Sequence, residues 1–170
     1  MFEAIIFGMA KGLASYLFGG YLKAHYGSVE IDNAPSWYGK EPTEAVCVSD
    51  YSPYGGIKKI EIVKSRTKIG LKNRIDKIIS VVIYQNFKNL TPDEDNFLNI
   101  VKKDTKLPLF IEANMRFQNI KVDKKGRVFV RSCIDKNNLI SYEKRRLKKL
   151  SKELSYYKSD KAFEEMEKGF

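Results

Sequence analysis

The sequence has little of what catalytic and metal sites are made from. Its 170 residues include one histidine, His25, and two cysteines, Cys47 and Cys133. A single histidine beside an apolar N-terminal segment leaves no Ser-His or Cys-His nucleophile system. Cysteines outside any C-x-x-C or Cys/His spacing argue against a zinc site, and no phosphate-binding glycine loop follows a strand. The sequence therefore predicts a protein that is not an enzyme, with no cofactor and no metal.

The two cysteines each fall inside a predicted strand, which leaves two interpretations open. The favoured one is that both are small buried hydrophobic residues, because free cysteine is among the most buried residue types. The second is a single structural disulfide, which requires that the domain lies in an oxidising compartment. Neither interpretation gives a catalytic thiol.

Acidic residues are few relative to basic ones. The chain has 31 Lys and Arg against 21 Asp and Glu, for a formal net charge of +10. Residues 57–77 and 136–158 each hold eight basic and two acidic residues. Such charge attracts nucleic acid, anionic lipid or lipopolysaccharide, although no nucleic-acid-binding motif accompanies it and nucleic acid is not favoured. The candidate basic binding face comprises Lys58, Lys59, Arg66, Lys72, Arg74, Arg145, Arg146, Lys148 and Lys149.

No long apolar run is free of charge. Residues 1–26 are mostly apolar but contain Lys11, and they are only marginally long enough to cross a bilayer. The segment lacks the basic start and small-residue cleavage site of a secretory signal. We therefore expect an apolar helix that serves as a membrane anchor, an atypical signal or an assembly helix. The flanking charges of Glu3 and Lys23 weakly favour a cytoplasmic domain after it.

Residues 27–42 are rich in Gly, Pro, Ser and Asp and predict an extended connector. Trp37, the only tryptophan, lies in it. The favoured interpretation is that Trp37 fastens the connector to the domain, and the alternative is an exposed aromatic at a subunit or membrane contact. A β-branched run predicts a first strand over residues 44–49, followed by a turn over residues 51–56.

Two helices are predicted next. Residues 57–87 carry apolar residues at three- and four-residue intervals from Leu71 onward, which is typical of one face of a long core helix. Within it, Gly70 indicates a kink or close packing. Thr91-Pro92-Asp93-Glu94 is a capping box with proline at the first helical position, so a short helix should run to about Lys103.

A hairpin should follow. Pro108 is expected to end helical structure, and apolar residues alternate with polar ones from Ile111 to Phe117, as in a strand with one wet face. Ile120 and Val122 fall out of phase, and a β-bulge near residues 118–119 would return them to the core. The loop over residues 123–126 ends in a glycine suited to a positive φ. The returning strand carries its apolar residues at Val128, Val130 and Ile134.

The last predicted helix has heptad-like spacing at Leu147, Leu150 and Leu154. Tyr156 to Phe170 predicts a separate terminal turn or helix, with Phe163, Met166 and Phe170 on one side. The expected fold class is therefore α+β, in which a small antiparallel sheet of about three strands packs on a long helix. An apolar N-terminal helix and a basic C-terminal helix complete it. Exposed edges of such a sheet invite pairing with another subunit unless they are blocked.

A family resemblance is carried by two short stretches, with a basic helix between them and another after the second. The stretches are Ala34-Pro35-Ser36-Trp37 and Gly126-Arg127-Val128-Phe129-Val130-Arg131-Ser132-Cys133-Ile134-Asp135. In this order they resemble the Lpp-twenty family of small envelope lipoproteins from epsilon-class bacteria. The resemblance implies a domain over residues 43–158, a tail over 159–170 and a self-associating structural protein. The family's lipobox cysteine is absent, which leaves open a different route to the envelope.

The family includes surface antigens, a secreted effector and the lipoprotein that builds the flagellar basal disk. The resemblance thus implies a homo-oligomeric ring or scaffold in the periplasm or at the outer membrane, with other envelope or motor proteins as partners. Membrane association would run through residues 1–26. The alternative is a basic ligand-binding or host-interacting protein that recognises nucleic acid, anionic lipid or lipopolysaccharide.

Overall fold

The computed structural model describes residues 31–40 and 42–168, and the expected N-terminal helix over residues 1–26 lies outside them. The predicted α+β class is confirmed: a three-stranded antiparallel sheet packs on a long helix. In chain order the elements are β1 (Ala45–Ser52), a 3-10 helix (Gly56–Lys59), α1 (Ile60–Asn86), α2 (Pro92–Val101), α3 (Leu107–Asn114), β2 (Arg116–Val122), β3 (Val128–Asp135) and α4 (Lys136–Lys168).

The sheet has the strand order β1-β3-β2, so β3 is central and β1 and β2 are the edges. The predicted hairpin between β2 and β3 is confirmed. The Gly126 amide donates to the Asp123 carbonyl at 3.0 Å, and Gly126 has a φ of +74° that favours glycine. The first strand extends to Ser52, beyond the predicted end at residue 49, because Tyr51 and Ser52 still pair with β3.

Helix α1 lies across β1 and β3 and supplies more of the buried core residues than any other element. Its buried residues include Leu71, Ile75 and Ile78, which pack with Val46 of β1 and Ile134 of β3. The predicted close packing at Gly70 is confirmed, because a Cβ there would lie 3.0 Å from Val48 Cγ1. A larger side chain at Gly70 would push the helix off the strand.

Helix α2 begins as the capping box predicts. Thr91 Oγ1 accepts from the Glu94 amide at 3.3 Å, and Glu94 Oε2 accepts from the Thr91 amide at 3.0 Å. Both exchanges satisfy amide groups that a helix start otherwise leaves unpaired. Leu98 is buried in the core, and Phe97 stacks on Tyr157 of α4 with ring centroids 4.3 Å apart.

The predicted strand from Ile111 was wrong. Residues Leu107–Asn114 form helix α3, and β2 begins only at Arg116. Pro108 lies in the first turn of α3, where its missing amide hydrogen removes no helical hydrogen bond. Leu107, Ile111 and Met115 are buried at four-residue intervals, a spacing that fits one helix face as well as the assumed alternation.

The predicted bulge in β2 is confirmed, because the register with β3 shifts between Phe117 and Asn119. The expectation that Ile120 and Val122 reach the core was wrong. They pair with Val130 and Val128 and so face the helix side of the sheet. However, α1 covers β1 and β3, and both side chains remain exposed.

Two further expectations are corrected. Residues Lys136–Lys168 form one continuous helix, so Tyr156 does not begin a separate element. Residues 155–168 contain no glycine or proline that would break the helix. Cys47 and Cys133 are not separate thiols but form a disulfide, the second of the two interpretations. They are directly opposite each other in the β1–β3 register.

Candidate interaction surface

One face of the sheet is covered by the strap, which we define as residues 32–40. Arg127, the residue before β3, donates from its Nη1 to the Asp32 carbonyl at 2.8 Å. Arg131 Nη1 donates to the carbonyls of Trp37 at 3.3 Å and Lys40 at 3.1 Å. The Arg131 guanidinium also lies 5.5 Å from the Trp37 ring. Trp37 is only partly buried and lies outside the core clusters, so it fastens the connector through Arg131, as predicted, but does not plug the core.

An aromatic cluster lies beneath the strap. Phe129 of β3 is fully buried, with its ring 5.4 Å from Tyr38 of the strap and 5.8 Å from Tyr51 of β1. Burial, followed by the nearby Asp50 carboxylate, raises the pKa of Tyr38 to about 12. Tyr38 therefore stays neutral at physiological pH and acts as a hydrophobic contact with a polar tip.

The disulfide occupies the same face of the sheet. Gln118 Oε1 lies 3.2 Å from Cys133 Sγ. Beside it opens a pocket of about 270 Å³ whose walls include Glu44, Arg116 and Asp135. Both signs of charge line this pocket, so its electrostatics favour no one class of ligand.

The helix side of β2 forms an exposed apolar area. We call Phe117, Ile120 and Val122 the uncovered sheet surface; their exposed fractions are 40%, 43% and 36%. Neighbouring strands lie about 4.8 Å apart and helices about 10 Å wide, so one helix covers about two strands of a sheet. The position α1 occupies over β1 and β3 therefore leaves the third strand open on that side.

Basic residues border the uncovered sheet surface. Lys64 Nζ of α1 lies 5.3 Å from the Phe117 ring. The Gly56 amide donates to the Gly126 carbonyl at 2.9 Å, which fixes the 3-10 helix against the hairpin loop. Lys58, Lys124 and Lys125 are exposed at this end. The surface is thus apolar in its centre and positively charged at its border.

The end of α4 extends past its last contact with α2. That contact includes the ion pair between Lys158 Nζ and Glu94 Oε1 at 3.2 Å and the ion pair between Lys161 and Asp93. We call residues 162–168 the projecting end, in which every residue is exposed. Phe163 and Met166 lie on one side of it, as predicted by their spacing, with exposed fractions of 62% and 54%. The projecting end carries three acidic and one basic residue, a formal net charge of −2.

The three arginines Arg66, Arg74 and Arg146 of the candidate basic binding face make hydrogen bonds to backbone carbonyls of other elements. Arg66 Nε lies 2.7 Å from Asp50 Oδ2, and its Nη2 donates to the Tyr51 carbonyl at 2.7 Å. Arg74 is buried and donates to the Cys47 carbonyl. Arg146 donates to the Lys102 carbonyl. These arginines hold helices against the sheet or against each other.

The remaining six residues are less constrained. Lys72 lies 3.2 Å from Asp76 and Lys149 lies 3.6 Å from Glu153. Both are exposed ion pairs, which contribute little to the stability of a protein. Lys59 lies 5.8 Å from the Tyr54 ring. The structure places Lys58 at the hairpin end and leaves it exposed, as it leaves Arg145 and Lys148 on α4.

Glu143 was counted only as a charge in the sequence, yet it belongs to the buried stripe of α4. It lies between Leu139 and Leu147 and is 1% exposed. Its Oε1 accepts from Arg146 Nη1 at 3.4 Å, whereas its Oε2 has no hydrogen-bond partner within residues 31–40 and 42–168. Burial raises the pKa of Glu143 to about 7, against the opposing effect of Arg146. The four-residue spacing with Leu139 and Leu147 was the signal for its position.

Replacing Glu143 with leucine is expected to stabilise the domain at alkaline pH. The folded pKa of about 7 lies above the ordinary value of 4.5, so the folded state binds the proton more tightly. The stability that the protonated Glu143 contributes is therefore present below about pH 4.5, is lost as the pH rises to about 7, and stays absent at higher pH. Urea unfolding should show Glu143→Leu more stable by about 1 to 3 kcal/mol at pH 8, and by less at pH 5.

The matched control is Glu153→Leu on the same helix, because that carboxylate is partly exposed and paired with Lys149. Its effect should be small and should change little between the two pH values. A gain for Glu143→Leu that is the same at pH 5 and pH 8 would contradict the raised pKa.

Comparisons with protein-family models, curated proteins and solved structures gave no significant match. Among the residues that the structure describes, no group of three or more His, Cys, Asp or Glu side chains could hold a metal ion. In the same part of the chain, no helix combines the length and the apolar character needed to span a membrane.

Proposed function

We propose that this chain is a non-enzymatic, self-associating structural protein of the bacterial cell envelope that forms a ring or scaffold. A flagellar basal disk is the most concrete assembly of this kind. The observation that carries the proposal is the pair of exposed apolar surfaces at separate places in the fold. Phe117, Ile120 and Val122 lie open on the sheet, and Phe163 and Met166 lie open on the projecting end. Contiguous exposed apolar groups mark interaction sites.

The disulfide supports the part of the proposal that concerns location. Cys47 and Cys133 pair across the sheet, and disulfides form and persist in oxidising compartments such as the periplasm. Membrane association through residues 1–26 remains part of the proposal, with further copies of this chain and other envelope or motor proteins as partners.

The alternative of a basic ligand-binding or host-interacting protein has weaker support. Arg66, Arg74 and Arg146, which provide three of its nine residues, contact the protein itself. What remains is exposed lysine and arginine, which binds anions without specificity. The apolar surfaces have no role in this alternative.

The proposal is tested by the mass of the full-length protein in mild detergent, measured by light scattering over a range of concentrations at low and high salt. We expect an oligomer whose mass rises with concentration and which persists at high salt, because apolar contacts are not screened. Negative-stain images of the same peak should show rings or regular arrays. A monomer at every concentration and salt would contradict the proposal.

A further inference from the structure

We propose that the projecting end of one copy binds the uncovered sheet surface of a second copy, so that the chain assembles head to tail. This inference rests on the proposed self-association and adds its contact. The second copy's helix would lie beside α1 and complete the helix layer over the sheet. Phe163 and Met166 would then cover Phe117, Ile120 and Val122, which are the exposed apolar side chains of the two surfaces.

The geometry of the sheet supports a helix as the occupant. Helix α1 covers β1 and β3, and the next helix position on the same face, about 10 Å away, lies over β2. The projecting end is a helix with Phe163 and Met166 three residues apart, which places both side chains on the same side. Residues at this spacing are the anchors by which amphipathic helices bind apolar grooves.

Charge complementarity supports a second copy as the source of that helix. The chain as a whole carries +10, whereas the projecting end carries −2 through Glu164, Glu165 and Glu167 against Lys168. The border of the uncovered sheet surface carries the exposed lysines Lys58, Lys124 and Lys125, whereas Lys64 is paired with Glu61 at 2.8 Å. Opposite potentials at the two surfaces steer their encounter and disfavour wrong orientations.

The two surfaces differ from each other, and this determines the type of assembly. A contact between unlike surfaces is heterologous, so a bound pair of copies still has one free projecting end and one free uncovered sheet surface. Successive copies then form a closed ring when the rotation between them closes, or a filament when it does not. A two-fold contact, by contrast, would stop at a dimer.

Complementary variants test the contact in the full-length protein. The end variant, Phe163→Ser with Met166→Ser, lacks the apolar groups of the helix, and the sheet variant, Ile120→Ser, lacks the centre of the surface. Each alone should raise the dissociation constant of self-association at least tenfold. An equimolar mixture should give a one-to-one dimer that grows no further, because it retains one intact end and one intact surface. Light scattering measures each mass, and circular dichroism confirms folding.

Tyr84→Ser is the matched control, because Tyr84 is another large exposed side chain, 75% exposed, at the far end of α1. It should assemble as the wild type does. If the end variant also assembles normally while the wild type oligomerises, this inference is wrong and the proposed function stands. If both variants fail to assemble and the mixture gives no dimer, the contact is not head to tail. A wild type that never oligomerises overturns the proposed function itself.

A photo-crosslinking residue at position 163 identifies the occupant directly. We expect crosslinks between two chains that map to Arg116–Val122, the strand that bears the uncovered sheet surface. Crosslinks within one chain to residues 1–30 would show that Phe163 contacts that segment instead, and would overturn the inference. Crosslinks to β1 or α2 of a second copy would also overturn the inference.

Discussion

Replacing Phe129 with aspartate is expected to abolish folding. Phe129 is fully buried at the centre of the sheet, where its ring packs between Tyr38 and Tyr51. Truncating such a phenylalanine costs about 3 to 5 kcal/mol, and an aspartate there adds a buried charge with no partner, at a cost of several kcal/mol more. The sum approaches or exceeds the whole stability of a domain of this size. The variant should be insoluble, or should lack cooperative thermal unfolding measured by circular dichroism.

Phe117→Asp is the control with the same chemistry on the neighbouring strand. Phe117 is 40% exposed, so its replacement should leave the fold intact and reduce only self-association. A soluble, cooperatively folded Phe129→Asp protein would show that the strap and the aromatic cluster are not part of the stable core. If Phe129→Asp kept its fold and lost assembly, then Phe129 would belong to an interface.

Elements whose sequence signals are local were predictable. The capping box at Thr91 and the glycine of the hairpin loop at Gly126 act within four residues, so each signal is complete in the sequence around it. The core stripe of α1 was also readable, because three- and four-residue intervals over many turns fit no strand. The way in which the helices cover the sheet could not be predicted from such local signals.

The wrong predictions have two causes. In one case a pattern fits both a strand and a helix, and in the other the exposure of a residue depends on an element that is distant in the sequence. Leu107, Ile111 and Met115 fit a strand and a helix alike, and the placement of Pro108 in a first helical turn decided for the helix. Ile120 and Val122 do face the helix side, as the bulge predicts. Their exposure depends on which two strands α1 covers, and this is a tertiary choice that the sequence of β2 does not contain.

The disulfide was the less favoured of two interpretations, and the burial of Glu143 was missed, for a related reason. Two cysteines in separate strands become opposite neighbours only when the register of β1 on β3 is known. Glu143 has the spacing of a buried residue, but the type of its side chain predicts exposure. In both cases the position of a residue in the fold overrides the ordinary preference of its type.

Removing the disulfide should cause the other large loss of stability. Cys47 and Cys133 are 86 residues apart in the chain, and a cross-link over a loop of this length restricts the unfolded ensemble by about 4 kcal/mol in the chain-entropy description. The variant Cys47→Ala with Cys133→Ala should therefore unfold at a much lower urea concentration. Alanine is preferred to serine here because both positions are buried among apolar groups.

Reduction offers an independent route to the same state and links stability to location. The urea midpoint of wild-type protein treated with a thiol reductant should fall towards that of the variant. The midpoint of the variant itself should not change with the reductant. Equal unfolding midpoints for oxidised and reduced wild type would contradict a structural role for the bond. When cells are quenched with acid and the protein is then denatured, an alkylating reagent applied without reductant should leave both cysteines unlabelled, because the pair persists in an oxidising compartment. Full labelling would place the domain in a reducing one and remove the support that the disulfide gives to an envelope protein.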